Sequence, residues 1–203
     1  ATGYAGVRRD NVMIVPSLHL LDEGQPALAG ARDQHKLVWL LSRSVRHDFQ
    51  NALRGLELYL REGGGLEPII ACPNPGVLTP QGALPMFNLL DESTLDLWAD
   101  LEKFRIDDAA SLSRLLRRSG ILWSSEIVGG EAYAMMQAAQ HGMKFLGFDF
   151  LLHRDAAAKV GSSVSLYSSS SPEGIADALH ALESDDEVQP TPTWPVMSEA
   201  EIV

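Results

Sequence analysis

The stretch from Gly120 to Asp149, GILWSSEIVGGEAYAMMQAAQHGMKFLGFD, decides the fold. It opens on Ile121, Leu122 and Trp123, a short apolar run that fits a strand buried on both faces. A turn of small residues follows, Ser124, Ser125 and Glu126, and then Gly129 and Gly130. Ala132, Met135, Met136 and Ala139 recur at i, i+3, i+4 and i+7, the spacing of one helix face, and Gly142 stops the pattern. Lys144 to Phe148 is a further apolar strand. Strand, glycine-containing turn, helix and strand make one βαβ unit. In open α/β sheets ligands bind where strands end and helix N-termini begin, so this turn is the first place to look for function.

A second unit lies upstream. Lys36 to Leu41 (KLVWLL) reads as a strand, and from Asp48 to Arg61 the residues Phe49, Ala52, Leu53, Leu56, Tyr59 and Leu60 keep helical spacing until Gly63, Gly64 and Gly65. Leu66 to Cys72 (LEPIIAC) is the next strand, so the order is again strand, helix, strand. Pro73 to Leu90 holds four prolines and two glycines and reads as irregular. Asp91 to Asp100 fits a short helix and Glu102 to Ile106 a brief strand. Asp107 and Asp108 then put acid at a helix start, with Ala109, Leu112, Leu115 and Leu116 on one face. Arg114, Arg117 and Arg118 fall toward its end, a charge order that suits the helix dipole. Asn11 to Pro16 is a candidate first strand and residues 21–34 a loop. Ser163 to Tyr167 is the last strand. Pro172 to Leu182 is the last helix, with Ile175, Ala178, Leu179 and Leu182 as its apolar side. Strands alternating with helices in this way predict an α/β fold, a Rossmann-like doubly wound parallel sheet over residues 1–183. Residues 184–203 read as an acidic, proline-containing tail.

Composition narrows the function. The chain has 203 residues, 45% of them hydrophobic, and a net charge of −11, which argues against a nucleic-acid binder with its basic face. Between Glu183 and Val203 there are six acidic residues and no Lys or Arg. No run approaches the length of a transmembrane helix, and the N-terminus has no apolar core of the signal-peptide kind. One cysteine, Cys72, excludes an internal disulfide and fits a reducing compartment, so the expected location is cytoplasmic. Cys72 itself ends an apolar run and reads as a core residue. His35, His141, His153 and His180 are isolated in sequence, and no P-loop, Cys pair or Ser/His/Asp order is present. The missing initiator Met suggests a portion of a longer protein.

Several of these pieces together resemble the C-terminal, donor-binding domain of the GT-B glycosyltransferases, in particular the retaining group whose signature is Glu-x7-Glu. The pieces are Leu41-Ser42-Arg43 before a helix, Phe104-Arg105-Ile106 before Asp107 and Asp108, and Ile121 to Ser125. The glycine turn with its helix and the loop Ser168 to Glu173 complete the set. The fold implied is one half of a GT-B pair of Rossmann-like domains. The activity implied is transfer of a sugar from a nucleotide-diphosphate-sugar, which is a substrate, with no cofactor and no metal. The acceptor, a glycan or a lipid-linked molecule, would sit mainly on an N-terminal domain absent from this chain, and the isolated piece would be inactive.

The same resemblance assigns candidate residues. Arg43 is the candidate diphosphate clamp, because a cation at a strand end can stabilise a leaving diphosphate. Ser42, Arg46 and His47 share its loop. The family has a Lys five residues after that Arg, and here the position is Asp48, so Arg46 or His47 would have to supply a second cation. Counting back from Gly142 puts Gln137 at the second carboxylate position and Gly129 at the first; Gln137 can hydrogen-bond hydroxyls without charge. Glu131, directly after Gly129 and Gly130, is the better candidate carboxylate, with Glu126 as the other. Arg43, Glu131 and Gln137 are thus the candidate catalytic residues. Ser125, Glu126, Gly129, Gly130, Ala132 and Tyr133 would bind the donor around the helix start, and Phe104, Arg105 and Ile106 would hold the nucleobase.

Two other readings stand beside this one. The altered Lys and Glu positions fit a Rossmann-like binding or assembly module without catalysis. Arg46-His47-Asp48-Phe49-x-Asn51 is also similar to the phospho-accepting helix of His-phosphotransfer proteins, with His47 as acceptor. That role calls for a partner helix in a bundle, whereas Lys36 to Leu41 just before it reads as a strand.

Overall fold

The computed structural model describes residues 32–41, 48–73, 91–127, 133–160 and 164–185. Its elements are, in chain order, β1 (Asp33–Leu40), α1 (Phe49–Arg61), β2 (Glu67–Cys72), α2 (Glu92–Asp100), β3 (Glu102–Arg105) and α3 (Ala109–Arg117). They continue with β4 (Ser119–Ser124), α4 (Tyr133–Gln140), β5 (Lys144–Phe148), α5 (Leu151–Val160), β6 (Val164–Tyr167) and α6 (Pro172–Glu183). The strands form one six-stranded sheet in the order β3-β2-β1-β4-β5-β6. Every adjacent pair is parallel. This is the doubly wound, Rossmann-like arrangement that the alternation of elements predicts.

Burial explains why some strands are plain in the sequence and others are faint. β1 and β4 pair at the sheet centre, with Val38 opposite Leu122 and Trp39 opposite Trp123. All six residues of β4 are buried, so it reads as a continuous apolar run. β3 lies at one edge and keeps Glu102 and Arg105 exposed. On one face, Leu37, Trp39, Ile70, Trp123, Leu146 and Tyr167 pack with Leu53 and Leu56 of α1, Trp98 of α2, and Ile175 and Leu179 of α6. On the other, Val38, Ala71, Leu122 and Phe145 meet Leu112 and Leu116 of α3, Met135 and Ala138 of α4, and Ala156 of α5. Cys72 is buried in the first core. Gly55 lets α1 lie directly on α6, because a Cβ there would come within 2.7 Å of Ile175 Cβ.

Local chemistry sets the helix ends. Asp108 and Ser111 form a capping box at the start of α3, and the Asp91 and Ser171 side chains cap α2 and α6. α1 and α4 both end in Schellman turns, in which Gly63 (φ 91°) and Gly142 (φ 61°) occupy the left-handed region that favours glycine. Lys103 of β3 donates to the terminal carbonyls of Trp98, Ala99 and Leu101 and so closes α2.

Several expectations need correction. β1 begins at Asp33, inside the segment read as loop, because backbone pairing of Asp33 with Ser119 extends it past its apolar residues. α5 has no counterpart in the sequence reading. Its buried side chains include His153 and Ala156, too small and too polar to mark an apolar stripe. On α4 the buried residues are Ala134, Met135, Ala138 and Ala139, while Met136 is only half-buried. On α3, Ala109 is exposed and Leu115 half-buried, with Ser111 and Ser113 inside instead. Glu183, grouped by composition with the acidic tail, ends α6. The candidate strand Asn11 to Pro16 and the tail beyond Asp185 lie outside the described residues.

Candidate functional site

The strand order places a switch point between β1 and β4. From β1 the chain runs through α1 to β2 on one side, and from β4 it runs through α4 to β5 on the other. The two helices cover opposite faces, so the carboxyl ends of β1 and β4 open a crevice between them, where ligands bind in sheets of this kind. α1 and α4 both start at this edge and present their N-terminal dipole ends to it.

Ser125 joins the two sides of the crevice. It is fully buried just past β4. Its hydroxyl accepts a hydrogen bond from the Trp39 indole N–H at 3.0 Å. Its carbonyl accepts the backbone N–H of Asp48, the N-cap of α1, also at 3.0 Å. Asp48 in turn accepts from the Asn51 side-chain amide at 3.0 Å. Beneath lies an aromatic floor. Trp39 stacks on Trp123 (4.7 Å between centroids) and on Phe49 (5.5 Å), and Phe49 meets Trp98 edge-on. Tyr167, at the end of β6, packs edge-on against Phe148 and lies by the Trp123 indole. Burial first, and the Asp48 carboxylate in addition, push its phenol well above the ordinary value, while the nearby Trp123 indole acts in the opposite sense.

Known structures share this architecture. No family model matches the chain, and no curated protein matches it. Among solved structures, a mutant of S. aureus TarM in complex with fondaparinux, alpha-GlcNAc-glycerol and UDP superposes with a TM-score of 0.57 at 13% identity, over 81% of this chain and 31% of TarM. An E. coli trehalose-6-phosphate structure bound with UDP-2-fluoro glucose gives 0.51 at 12% identity, over 80% of this chain and 41% of the other. The fold is GT-B-like. The chain spans less than half the length of either, and at these identities the likeness is one of fold alone.

The candidate residues fall into three groups within this frame. Ser125, Glu126 and Tyr133 lie at the switch point. The Glu126 backbone N–H donates to Ser124 Oγ at 3.4 Å, and Tyr133, which opens α4, is exposed, as is Ile127. Phe104, Arg105 and Ile106 lie along the same carboxyl edge at β3, two strand spacings or about 10 Å from β1. There the Ile106 N–H donates to Cys72 O at 3.0 Å, and Phe104 packs against the second core. Arg105 pairs with Asp107 at 2.6 Å, both well exposed, so the pair adds little stability. Gln137 stands apart. It is half-buried one turn into α4, and its amide donates to Gln140 at 3.2 Å, toward the far end of the helix.

Ser42, Arg43, Arg46, His47, Gly129, Gly130, Glu131 and Ala132 lie outside the described residues. The flanks of their two segments, Leu41 and Asp48 on one side and Ile127 and Tyr133 on the other, stand at the switch point.

Sequence reasoning missed Trp39, Trp123 and Tyr167 as parts of this site, because in one dimension each is only an apolar strand residue. Asp48 carries a signal in its place before the apolar periodicity of α1, and it is the N-cap, although its side chain makes no capping bond. α1 lies on the sheet beside α6, so the two-helix bundle that the His47 reading requires is not its setting. Among the described residues, no cluster of His, Cys, Asp or Glu could hold a metal ion, and no helix is long and apolar enough to cross a membrane.

Proposed function

We propose that this chain is the donor-binding half of a glycosyltransferase, holding a nucleotide-diphosphate-sugar at the β1/β4 switch point. The observation that carries the reading is the coincidence of two independent things. The sheet order puts the ligand crevice between β1 and β4, and the segments that resemble a donor site in sequence are the two that leave those strands. In this reading Arg43 and the start of α4, with Gly129, Gly130 and Glu131, face the diphosphate, where a guanidinium and helix dipoles stabilise charge on the leaving group. Ser42, Arg46 and His47 complete the β1 side. Ser125, Glu126, Ala132 and Tyr133 line the β4 side, with Phe104, Arg105 and Ile106 around the base. By sequence spacing Gln137 takes the second carboxylate position of the retaining Glu-x7-Glu group and Gly129 the first, and Glu131, two residues on, supplies the carboxylate in place of Gly129. The donor is a substrate, and protein cations and dipoles take the role of a metal. The acceptor, a glycan or lipid-linked molecule, is held by a further domain. TarM and the trehalose-6-phosphate structure were solved with UDP and UDP-2-fluoro glucose, which makes uridine nucleotides the first ligands to try.

The test is calorimetric titration of uridine, guanosine and adenosine diphosphates and their sugars into this chain and into Arg43→Ala. One nucleotide should bind the parent, and the variant should bind it at least about tenfold more weakly, as expected for loss of a charge-assisted contact. Equal binding by parent and variant would remove Arg43 from the site. No binding of any nucleotide by the folded parent would leave the module without catalysis as the better reading.

A further inference from the structure

Trp39 does more than fill the core. Its ring is fully buried between Trp123 and Phe49, and a Phe at that position would fill most of the same space. What a Phe could not do is donate the indole N–H to Ser125 Oγ at 3.0 Å. Ser125 is held at the same time through its carbonyl, which takes the Asp48 N–H at 3.0 Å. The first residue past β4 is therefore tied by its side chain to β1 and by its backbone to the start of α1. The Trp39 bond is buried from solvent, where such groups keep their partners and resist displacement.

We propose that Trp39 is a positioning residue for nucleotide binding. By fixing Ser125 it sets the spacing between the N-terminus of α1 and the chain that leaves β4, the two sides of the switch-point crevice. This rests on the donor-binding reading above. A crevice whose walls are already spaced for the diphosphate binds it without the cost of ordering them on contact. Trp39 touches no ligand in this account and acts only through Ser125.

The experiment measures both the UDP dissociation constant and the melting temperature of the parent chain, Trp39→Phe, Ser125→Ala, the double variant and Trp98→Phe. Trp98 is the control: it is buried in the same aromatic cluster, edge-on to Phe49 at 5.1 Å, but it comes from α2. Trp39→Phe and Ser125→Ala should each weaken UDP binding by about five- to tenfold, the scale of one buried hydrogen bond. The double variant should be no weaker than the worse single, because both changes remove the same tie. Trp98→Phe should lower the melting temperature yet keep its affinity within about twofold. Unchanged affinity in Trp39→Phe overturns the proposal. So does affinity that falls in step with melting temperature in every variant, Trp98→Phe included, since that is the mark of packing alone. Should Trp39→Phe fail to fold, Ser125→Ala, which deletes a single oxygen, still tests the tie, and UDP affinity equal to the parent's in that variant overturns the proposal. A parent that binds no UDP overturns the uridine donor reading and this inference together, and that failure is visible before any variant is compared.

Discussion

Replacing Tyr59 with Phe removes one oxygen from the amino edge of the sheet and should cost far more than its size suggests. Tyr59 is fully buried at the end of α1. Its hydroxyl donates to Glu183 Oε2 at 2.7 Å and accepts the Leu66 N–H at 2.9 Å, while Glu183 Oε1 accepts the Gly65 N–H at 2.9 Å. One phenol thus joins α1, the entry to β2 and the last turn of α6. The variant leaves the buried Leu66 N–H without its acceptor, a loss of about 1–3 kcal/mol, and removes a hydrogen bond to a carboxylate that water can partly replace. A total of about 2–3 kcal/mol corresponds to a fall in melting temperature of about 5–10 °C for a chain of this size.

Thermal melts of the parent, Tyr59→Phe, Glu183→Ala and the double variant provide the assay. The two single changes should be coupled by about 1–2 kcal/mol, because each destroys the same bond. UDP affinity should not change, since this network lies at the opposite end of the strands from the switch point. Burial, then the bond to Glu183, raises the Tyr59 phenol above its ordinary value near 10. The folded chain therefore keeps a proton that the unfolded chain loses, so this stability is complete below pH 10 and is lost as pH rises beyond it. Tyr59→Phe should lose that alkaline slope. A variant that melts within about 1 °C of the parent, or single effects that simply add, would refute the reasoning.

Gly55→Ala should gain about 1 kcal/mol of helix propensity and lose more than it gains. Its methyl would come within 2.7 Å of Ile175 Cβ and 2.9 Å of the Pro172 carbonyl, neither a flexible side-chain end, so α1 and α6 must part. A melting temperature at or above that of the parent would show that the two helices have room. His141 is predicted to make the protein acid-sensitive. Burial, with Arg117 and Arg32 close by, lowers its pKa from 6.5 to about 4. The unfolded chain therefore takes up a proton that the folded chain refuses, and stability present above pH 6.5 falls as pH drops toward 4. The ring is partly solvated, which shrinks the effect. His141→Gln should flatten the curve of melting temperature over that range, and parallel curves for the two proteins would rule His141 out.

The sequence by itself determined the elements with strong internal pattern. β4 and β5 announce themselves as apolar runs because central parallel strands are buried on both faces, and α1 does so because a broad stripe packs on the sheet. Gly63, Gly142, Asp91 and Asp108 mark helix ends through chemistry confined to a few neighbouring residues. From these alone the α/β class and the place to look for a ligand were legible. The tertiary structure decided what depends on residues far apart in the chain. The strand order that creates the switch point is one such fact. The Asp33 to His35 start of β1 is another, set where Asp33 pairs with Ser119 of β4 and invisible in its polar side chains. α5 is a third, since its buried His153 and Ala156 leave almost no periodic signal. The tie between Trp39 and Ser125 is the last, spanning 86 residues. In one dimension Trp39 is an apolar letter in a strand, and only the packed sheet shows where its N–H is aimed.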